Sequence, residues 1–429
     1  MKGVAFNVNV PGFVLAKTAG KITDSAFFGS LSGLGMDVLP EPDIPGPDWL
    51  KVEVIQSGIC GSDIGCLTYS ASPAMEPFGS FPAVLGHEIV GRVKAVGDNV
   101  EGVSQGQRVT IDPMISCATR GYHRSEFCPS CLKGQHCTCE RAGEPGLIKV
   151  NGKVLAPGMT IGYHRDLPGG WGDIVLAHKS QVFLVPEKVS DDMAVLVEPL
   201  SIAMHAVLGT KPNQEAPVVV LGSGTIALAT IWALRASGHH GFILSQVKRE
   251  HEKHLAQKLG ATGVVFPGQA ATEALLQTGA TAYKPIIGEE VFSGGGFTMV
   301  YDCVGNTQSL AQAMSFTSPR GKIAVIGCVG KTQNLDLTML WARELRVQGF
   351  VGYGLEEWHG GRQHTFEVVQ GLLGGTGSSV EEIITHKFPL EDYCQALKTS
   401  GNHQESGSIK VLLQPGGQEL AGDLENQIS

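Results

Sequence analysis

The sequence predicts a two-domain α/β protein in which a domain of alternating strands and helices is inserted into a mostly β domain built from both ends of the chain. The first 200 residues consist of short β segments separated by Gly/Pro turns. From about residue 216, short apolar strands alternate with helices, which is typical of a parallel sheet with helices on both faces. After residue 355 the pattern is mixed again and ends in a polar tail, which we expect to be disordered.

Short β segments dominate the N-terminal part. The strands predicted there are Lys51–Gln56, Ile89–Val96, Arg108–Ile111 and Gln181–Val185. Residues 1–16 resemble a secretory signal, but Asn7, Asn9 and Pro11 interrupt the apolar stretch. We therefore expect a first β-strand in this segment. We also expect the protein to be cytoplasmic.

The net charge of the chain argues against two classes of binding partner. The 429 residues include 32 basic and 41 acidic side chains, which gives a net charge of -9. A chain this acidic has no general attraction for nucleic acid or for an anionic membrane. Since no apolar run reaches the roughly 18 residues of a membrane helix, the sequence predicts neither kind of partner.

The inserted domain begins with a fully apolar strand at Val218–Leu221, a glycine turn, and a helix at Thr225–Ser237 that Gly238 ends. The pattern then repeats. The further strands and helices predicted are Phe242–Ser245, Arg249–Leu259, Gly263–Phe266, Phe297–Asp302, Ser309–Phe316 and Lys322–Gly327.

The turn between the first strand and helix of this domain has the pattern G-x-G-x-x-A, from Gly222 to Ala227. Gly222 permits a tight turn, Gly224 lets a pyrophosphate approach the backbone, and a small Ala227 allows close packing of helix and strand. Thr225 and Ile226 open the helix, whose N–H groups would face the phosphates. The motif predicts a dinucleotide site; a purely structural turn is the alternative.

The end of the next strand should distinguish NAD from NADP. An NAD site usually has an acidic residue there for the ribose 2′-hydroxyl, but this chain has none before Glu250. Ser245, Lys248 and Arg249 could instead bind a 2′-phosphate. The sequence favours NADP over NAD, the alternative being that the two basic residues only begin a solvated helix.

Three segments offer ligands for a catalytic metal. Cys60 lies in a glycine-flanked turn together with Ser62, His87 precedes Glu88, and Glu198 comes just before the inserted domain. One Cys, one His and one or two Glu can hold Zn²⁺ tetrahedrally and leave a position open for water or substrate. Taken singly, such residues are more often core or surface residues; their order along the chain suggests the site.

A second metal site is predicted from the spacing of cysteines. Five of the ten cysteines lie between residues 117 and 139, and Cys128 and Cys131 form a C-x2-C knuckle. With Cys117 and Cys139 they could close around a structural zinc, and Cys137 is the surplus thiol that could replace either of these two. The alternatives are free or redox thiols and, because basic residues lie nearby, a nucleic-acid zinc ribbon, against which the acidic net charge argues. Those basic residues are Arg120, Arg124, Lys133 and Arg141.

Taken together, these motifs resemble the zinc-containing medium-chain alcohol dehydrogenase family, particularly its sorbitol and threonine dehydrogenase-like branch. The similarity spans roughly residues 47 to 415. The ordered motifs are Gly58-Ile-Cys60-Gly-Ser-Asp63, Gly86-His87-Glu88, the cysteine lobe, Gly169-Gly-Trp171, Glu198-Pro-Leu200-Ser, Gly222-Ser-Gly224 and Asp302-Cys-Val-Gly305.

This resemblance implies a GroES-like, mostly β catalytic domain at residues 1–200 and 352–429, with a structural zinc lobe at 117–139, and a Rossmann doubly wound domain at 201–351. Cys60 and His87 would be catalytic zinc ligands, with either Glu88 or Glu198 as the third. Asp63 would orient a ligand, and Ser62 would pass on the substrate proton. Cys303, in the last motif, would lie at the cofactor.

The implied activity is hydride transfer between NADP or NAD and an alcohol or polyol, or its carbonyl form, by a homodimer or homotetramer. Zinc would act as a Lewis acid on the substrate oxygen. The alternatives are formaldehyde- or aldehyde-linked chemistry, an enoyl reductase, which generally lacks the zinc ligands, and a non-catalytic dinucleotide-binding or zinc-sensing protein.

Three departures from the family pattern affect these expectations. Ser125 stands where the family has a further cysteine, so Cys117 must reach the lobe across an insertion. The run Ile64-Gly65-Cys66 lacks the histidine that finishes the proton relay in many relatives, so water would complete it. Extra sequence occurs near residues 12–35, 66–82, 140–168 and 267–296, and we expect the second of these to border the substrate cleft.

Overall fold

The computed structural model describes residues 1–288, 290–328, 330–375 and 379–416, and the predicted disordered tail at 417–429 lies outside them. The described chain forms two compact units. Unit 1 comprises residues 1–198, 366–375 and 384–416, and unit 2 comprises residues 199–365 and 379–383 apart from the undescribed positions. A mostly β unit made from both ends of the chain was the sequence-based expectation.

Unit 1 begins with ten strands and four helices. The strands are β1 (Lys2–Phe6), β2 (Leu34–Val38), β3 (Trp49–Ile59), β4 (Ala83–Val84), β5 (Glu88–Val96), β6 (Arg108–Ile111), β7 (Lys149–Val150), β8 (Lys153–Val154), β9 (Ile174–His178) and β10 (Val182–Leu184). The helices are α1 (Val10–Ala19), α2 (Gly61–Leu67), α3 (Pro129–Leu132) and α4 (Asp191–Val195).

Unit 2 is built from alternating helices and strands. The helices are α5 (Val197–Thr210), which starts at the end of unit 1, α6 (Thr225–Ala236), α7 (Glu250–Lys258), α8 (Gln269–Leu276), α9 (Thr307–Phe316) and α10 (Thr338–Ala342). The strands are β11 (Val218–Leu221), β12 (Ile243–Gln246), β13 (Gly263–Val265), β14 (Thr281–Tyr283), β15 (Val291–Ser293), β16 (Phe297–Asp302), β17 (Thr317–Val325), β18 (Arg346–Gly349), β19 (Leu355–Trp358) and β20 (Gly361–His364).

The chain then returns to unit 1. The last elements there are α11 (Thr365–Gly375), β21 (Ile384–Pro389), α12 (Tyr393–Gly401), α13 (His403–Ser406) and β22 (Lys410–Gln414). Short 3-10 helices connect the elements of both units. They are Asp24–Phe27, Ser30–Ser32, Pro73–Phe78, Arg124–Glu126, His136–Thr138, Lys179–Gln181, Ser379–Ile383 and Leu390–Asp392.

The main sheet of unit 1 places the long strand β3 at its centre. The seven strands follow the order β10-β6-β5-β3-β22-β21, with β9 also paired to β3. Strand β3 is antiparallel to β5, β9 and β22, so the end of β3 lies beside the starts of β5 and β22. Its apolar residues Leu50, Val52 and Val54 are at most 1% exposed and belong to the core of the unit.

The sheet of unit 2 is parallel throughout, with strand order β13-β12-β11-β16-β17-β18. Counted along the chain this is the order 3-2-1-4-5-6 of doubly wound dinucleotide-binding sheets. Strand β11 is buried along its whole length, as expected for an apolar strand with helices on both faces. The predicted parallel α/β domain is confirmed.

Most predicted elements occur with shifts of a few residues, and three differ. Residues 179–181 form a 3-10 helix, so the strand predicted at Gln181–Val185 is limited to β10. The predicted first strand ends at Phe6, and α1 follows because Asn9 caps it and Pro11 lies in its first turn. Helix α5 was not predicted.

The domain limits inferred from the sequence stay a prediction. Unit 2 continues to Thr365, past the predicted return at residue 352, and includes the hairpin β19–β20. His205 on α5 is 2.5 Å from the Glu356 carboxylate through Nδ1, which joins this hairpin to the rest of unit 2.

Among the described residues, no helix is both long enough and apolar enough to cross a membrane.

Candidate functional site

Cys60 directly follows the central strand β3 and is the N-cap residue of α2. The Cys60 backbone N–H donates to Asp63 Oδ2 at 2.9 Å, and Asp63 itself is fully buried. Because the carboxylate ties the first turn of α2 to the end of β3, the position of the thiol is fixed by the sheet.

His87 lies just before β5, beside the same carboxylate. Its Nδ1 is 3.4 Å from Asp63 Oδ1, and the residue is 6% exposed. The preceding Gly86 has φ +92, and a Cβ there would lie 2.3 Å from a carbon of the Trp171 ring, so the turn requires glycine. Burial lowers the pKa of His87, but Asp63 and Cys60 more than compensate and the net shift is upward.

A ligand atom from each of Cys60, His87 and Glu88 lies within 4.8 Å of the other two. The structure therefore brings together three of the predicted catalytic ligands. Glu198 is 5% exposed at the start of α5 and is not part of that group. It does lie close enough to Lys410 to raise the pKa of the ammonium group.

Glu88 is already engaged by a cation that the sequence did not reveal. Lys410 Nζ, at the start of β22, lies 2.6 and 2.7 Å from the two carboxylate oxygens of Glu88 and also donates to Ile59 O at 3.1 Å. Both members of the pair are at most 2% exposed. Gly58 faces Glu88 across β3 and β5, where a Cβ would overlap the carboxylate at 1.7 Å.

Ser62 has a partner that none of the motifs indicated. The Tyr163 hydroxyl lies 3.0 Å from Ser62 Oγ and 2.6 Å from Asp63 Oδ1, and its ring is 5.3 Å from that of His87. Burial raises the pKa of the Tyr163 phenol well above its usual value. Tyr163 belongs to the extra sequence near residues 140–168, and only its three-dimensional position shows its proximity to Ser62.

The predicted cysteine lobe is formed by four of the five clustered thiols. The sulfurs of Cys117, Cys128, Cys131 and Cys139 all lie within 4.8 Å of one another, and all four residues are buried. Backbone N–H groups of Cys128 and Cys131 donate to the sulfurs of Cys117 and Cys128, each at 3.4 Å. Cys137, the surplus thiol, is outside this group of four.

One of the basic residues near the lobe is an internal structural group. Arg120 is fully buried and donates to the carbonyls of Ala142, Glu144 and Gly158. Arg141 lies 4.3 Å from the centre of the Tyr122 ring. These two guanidinium groups therefore stabilise the lobe itself.

The glycine turn connects β11 to α6 as predicted. Gly222 has φ +122, and a Cβ there would approach Val304 Cγ2 at 3.1 Å. Gly224 is the N-cap of α6, and no side chain of the described residues caps that helix. Ala227 is 1% exposed, which satisfies the need for a small residue between helix and strand. Thr225 and Ile226 are the first two residues of α6.

The loop after β16 packs against this turn. Asp302 is fully buried and accepts hydrogen bonds from the backbone of Val304 and Gly305 and from Ser309 Oγ. Burial raises the pKa of the Cys303 thiol to about 12, and its sulfur lies 3.5 Å from Thr230 Oγ1. Cys303 is thus a packed thiol next to Gly222, and its contact with a cofactor stays a prediction.

The end of β12 differs in detail from the expectation for a 2′-phosphate site. Ser245 is fully buried, so its hydroxyl is not presented at the surface. Lys248 is exposed, whereas Arg249 pairs with Glu252 at 2.5 Å. The other Glu252 oxygen accepts the backbone N–H groups of Lys248 and Arg249 at 2.9 Å. Of the three residues predicted to bind a 2′-phosphate, Lys248 and Arg249 lie in the turn that follows β12.

Two protein-family models match the chain in succession. The alcohol dehydrogenase GroES-like domain matches residues 46–187, and the zinc-binding dehydrogenase domain matches residues 225–366. The (R,R)-butanediol dehydrogenase of Saccharomyces cerevisiae is 28% identical over 399 residues, covering 88% of this chain and 94% of the relative. The L-idonate 5-dehydrogenase of Vitis vinifera is 26% identical over 370 residues, with 86% and 88% covered.

Solved structures show the same architecture. A protein of Sinorhizobium meliloti 1021, assigned to the zinc-binding dehydrogenases and crystallised with NADP, matches with a TM-score of 0.66 at 25% identity over 89% of this chain and 95% of its own. The 2R,3R-butanediol dehydrogenase of Bacillus subtilis matches with a TM-score of 0.69 at 22% identity over 97% and 99%, which supports the fold. With both family models matched in order, the chain belongs to the zinc-containing medium-chain alcohol dehydrogenase family.

Proposed function

We propose that this dehydrogenase transfers hydride between a nicotinamide dinucleotide, NADP by preference, and an alcohol or polyol, or the corresponding carbonyl compound. The proposal depends above all on one observation. Cys60, His87 and a buried carboxylate come together at the end of the central strand, with Asp63 behind the imidazole. Relatives named for butanediol, L-idonate and galactitol 1-phosphate support an alcohol or polyol as the substrate class.

The donor set at Cys60 fits a catalytic zinc ion. A thiolate, an imidazole oriented by a carboxylate and a further carboxylate are ligands that zinc takes in catalytic sites. We propose Cys60 and His87 as ligands, with Glu88 or Glu198 as the third. Glu88 lies within the group but binds Lys410 through both oxygens, whereas Glu198 is buried outside the group. Zinc, when bound, supplies a Lewis acid that favours ionisation of an alcohol oxygen.

Ser62 is proposed to accept the substrate proton. Its hydroxyl lies two residues after Cys60, in the first turn of α2, which Asp63 fixes to the sheet. A hydroxyl can accept one proton while giving up its own to a neighbour, which suits it to pass a proton on.

The four-cysteine lobe fits a structural zinc. Four thiolates close a tetrahedral site and leave no position for a substrate. Backbone N–H groups already donate to two of the sulfurs and hold them in place. We therefore propose Cys117, Cys128, Cys131 and Cys139 as its ligands.

The turn at Gly222 and the N-terminus of α6 are proposed to bind the pyrophosphate. At the end of β12, Glu252 is paired with Arg249 and accepts two backbone N–H groups, which offsets its repulsion of a 2′-phosphate. Lys248 is exposed there and would pair with the phosphate. The bound nicotinamide supplies the hydride chemistry, and the protein orients it.

The test is a panel of alcohols and polyols with NAD and NADP side by side, read by the absorbance of reduced nicotinamide. Cys60→Ser should abolish turnover and leave cofactor binding largely intact. Cys328→Ser is the matched control, since Cys328 is exposed and outside both candidate metal groups. Near-normal turnover of Cys60→Ser after chelation would disprove the assignment, and a silent panel with tight NADP binding would favour a non-catalytic role.

A homodimer or homotetramer is proposed as the assembly. Strand β18 supports this, since it lies at the edge of the unit 2 sheet and all four of its residues are exposed. Light scattering on the purified protein would measure the mass directly, and a monomer at micromolar concentration would contradict the proposal.

A further inference from the structure

Tyr163 is held in place by its backbone as well as by its side chain. Its N–H donates to Thr160 O at 3.2 Å, and its carbonyl accepts from Ser80 N at 2.9 Å. The ring packs against His87, and the hydroxyl reaches both Ser62 and Asp63. The phenol oxygen is therefore a fixed point between the proposed proton acceptor and the carboxylate that supports His87.

The single proton of this phenol can serve only one of its two neighbours. The contact with Asp63 Oδ1 is the shorter, at 2.6 Å against 3.0 Å for Ser62 Oγ. An ionised carboxylate can only accept a hydrogen bond, whereas a serine hydroxyl can donate or accept. The Tyr163 hydroxyl is the donor towards both neighbours, so Ser62 Oγ accepts in this contact and competes with Asp63 for the phenol proton.

This arrangement fixes which part of Ser62 remains available. One lone pair of Ser62 is directed at the phenol, so its second lone pair can accept a proton from a substrate hydroxyl while its own proton is passed on. Asp63 also accepts the N–H of Cys60 through Oδ2, and its Oδ1 lies beside His87. Tyr163 thus links Ser62 to Asp63, the carboxylate that contacts both Cys60 and His87.

We propose that Tyr163 is a positioning residue that fixes the Ser62 hydroxyl by donating to it, so that a lone pair and the proton of Ser62 remain available for proton transfer. The inference rests on the proposed function of Ser62. It assigns a role to the extra sequence near residues 140–168, and it gives Ser62 a fixed partner in a chain where Ile64-Gly65-Cys66 lacks the relay histidine.

The first test does not depend on activity. In the zinc-loaded full chain with ¹³Cζ-labelled tyrosine, the Tyr163 resonance is identified by its loss in Tyr163→Phe. Ser62→Ala should shift that resonance, because the phenol hydroxyl loses one of its two acceptors. Ser70→Ala is the control, since Ser70 bonds to Thr68 and Gly65 instead. An unchanged Tyr163 resonance in Ser62→Ala would overturn the inference.

The second test is a double-mutant cycle on turnover. Tyr163→Phe should lower kcat roughly ten- to hundredfold, as expected for a misplaced acceptor, with the KM for NADP unchanged. In the Ser62→Ala background the same change should have almost no further effect, because Tyr163 acts through Ser62. Additive losses would show an independent role and contradict the proposal.

Tyr69→Phe is the matched control for loss of a half-buried phenol hydroxyl. Tyr69 donates to Ser32 O at 3.0 Å and contacts neither Ser62 nor Asp63, so its kcat should stay near that of the wild type. If wild type and Tyr69→Phe were both inactive on the whole panel, the proposed function would fail. The resonance of Tyr163 would still decide the orientation of Ser62 in that case.

Discussion

At the scale of single residues, the carboxylate of Glu88 shows how a partner changes the role of a candidate ligand. Motif order placed Glu88 beside His87 and left it equal to Glu198 as the third zinc ligand. In the folded chain Lys410, 322 residues away in sequence, binds both oxygens of Glu88 inside the protein. A buried carboxylate with this partner is already neutralised, and a metal would have to compete with the ammonium for it.

Replacing Lys410 with Met should destabilise the protein by about 3–5 kcal/mol, because a buried carboxylate is left without its cation. Urea unfolding of the zinc-loaded protein would measure this. The double variant Glu88→Gln with Lys410→Met should recover much of the loss, since neither charge remains. If the double variant were as unstable as Lys410→Met alone, the loss would come from packing and not from the unpaired charge.

At the scale of elements, the fold of the cysteine lobe shows which four of the five clustered cysteines lie together. The short helix α3 and the loops around it bring four sulfurs together, and Cys137 lies on a neighbouring 3-10 helix outside the group. Spacing along the chain could not separate Cys137 from Cys139, because they are two residues apart and both are buried.

Cys131→Ser should lose the proposed structural zinc and keep the proposed catalytic one, and Cys137→Ser should keep both. The physical reason is that three thiolates and a hydroxyl bind zinc much more weakly than four thiolates. Metal content per chain, measured by mass spectrometry after dialysis, gives the result. Equal zinc loss in the two variants would contradict the assignment of Cys137 as surplus.

The loop from Ala156 to Asp166 contains a histidine that is stable only when neutral. His164 is fully buried, with Nε2 on the carbonyl of Ala156 at 2.9 Å and Nδ1 accepting from the N–H of Asp166 at 3.1 Å. Burial, assisted by Arg120 and Arg165, lowers its pKa from 6.5 to about 4, although the Ala156 carbonyl and Asp166 act in the opposite direction.

This lowered pKa predicts a pH dependence of stability. Between pH 6.5 and about 4 the unfolded chain binds a proton at His164 that the folded chain does not. The free energy of unfolding should therefore fall as the pH is lowered through this window, by up to about 3 kcal/mol from this residue. Comparing urea unfolding of wild type and His164→Gln across that range isolates the effect, with the exposed His254→Gln as control. Parallel pH curves for wild type and His164→Gln would refute it.

At the scale of the whole molecule, unit 1 provides the candidate metal sites and unit 2 the candidate dinucleotide site. A ligand that binds only the folded protein raises stability according to its affinity. Thermal unfolding therefore reports cofactor choice without a known substrate.

NADP at a hundredfold excess over its dissociation constant should stabilise the protein by about 2.7 kcal/mol. NAD at the same concentration should give a smaller rise in Tm, because it lacks the phosphate that Lys248 is proposed to bind. Lys248→Ala should reduce the difference between the two cofactors, whereas Lys253→Ala, on the following helix α7 and paired with Glu250, should not. A larger shift with NAD would overturn the preference for NADP.

Local patterns of the sequence determined the two-part architecture, the parallel sheet, the glycine turn and the residue types that could bind zinc. These features depend on hydrophobic periodicity and on turn chemistry, which act over a few residues. Tertiary structure alone decided that Lys410 holds Glu88, that Tyr163 lies 100 residues from Asp63 in sequence yet touches it, and that Cys137 is left outside the lobe. The reason is physical, since strand register and long-range packing bring these groups together and no spacing along the chain records them.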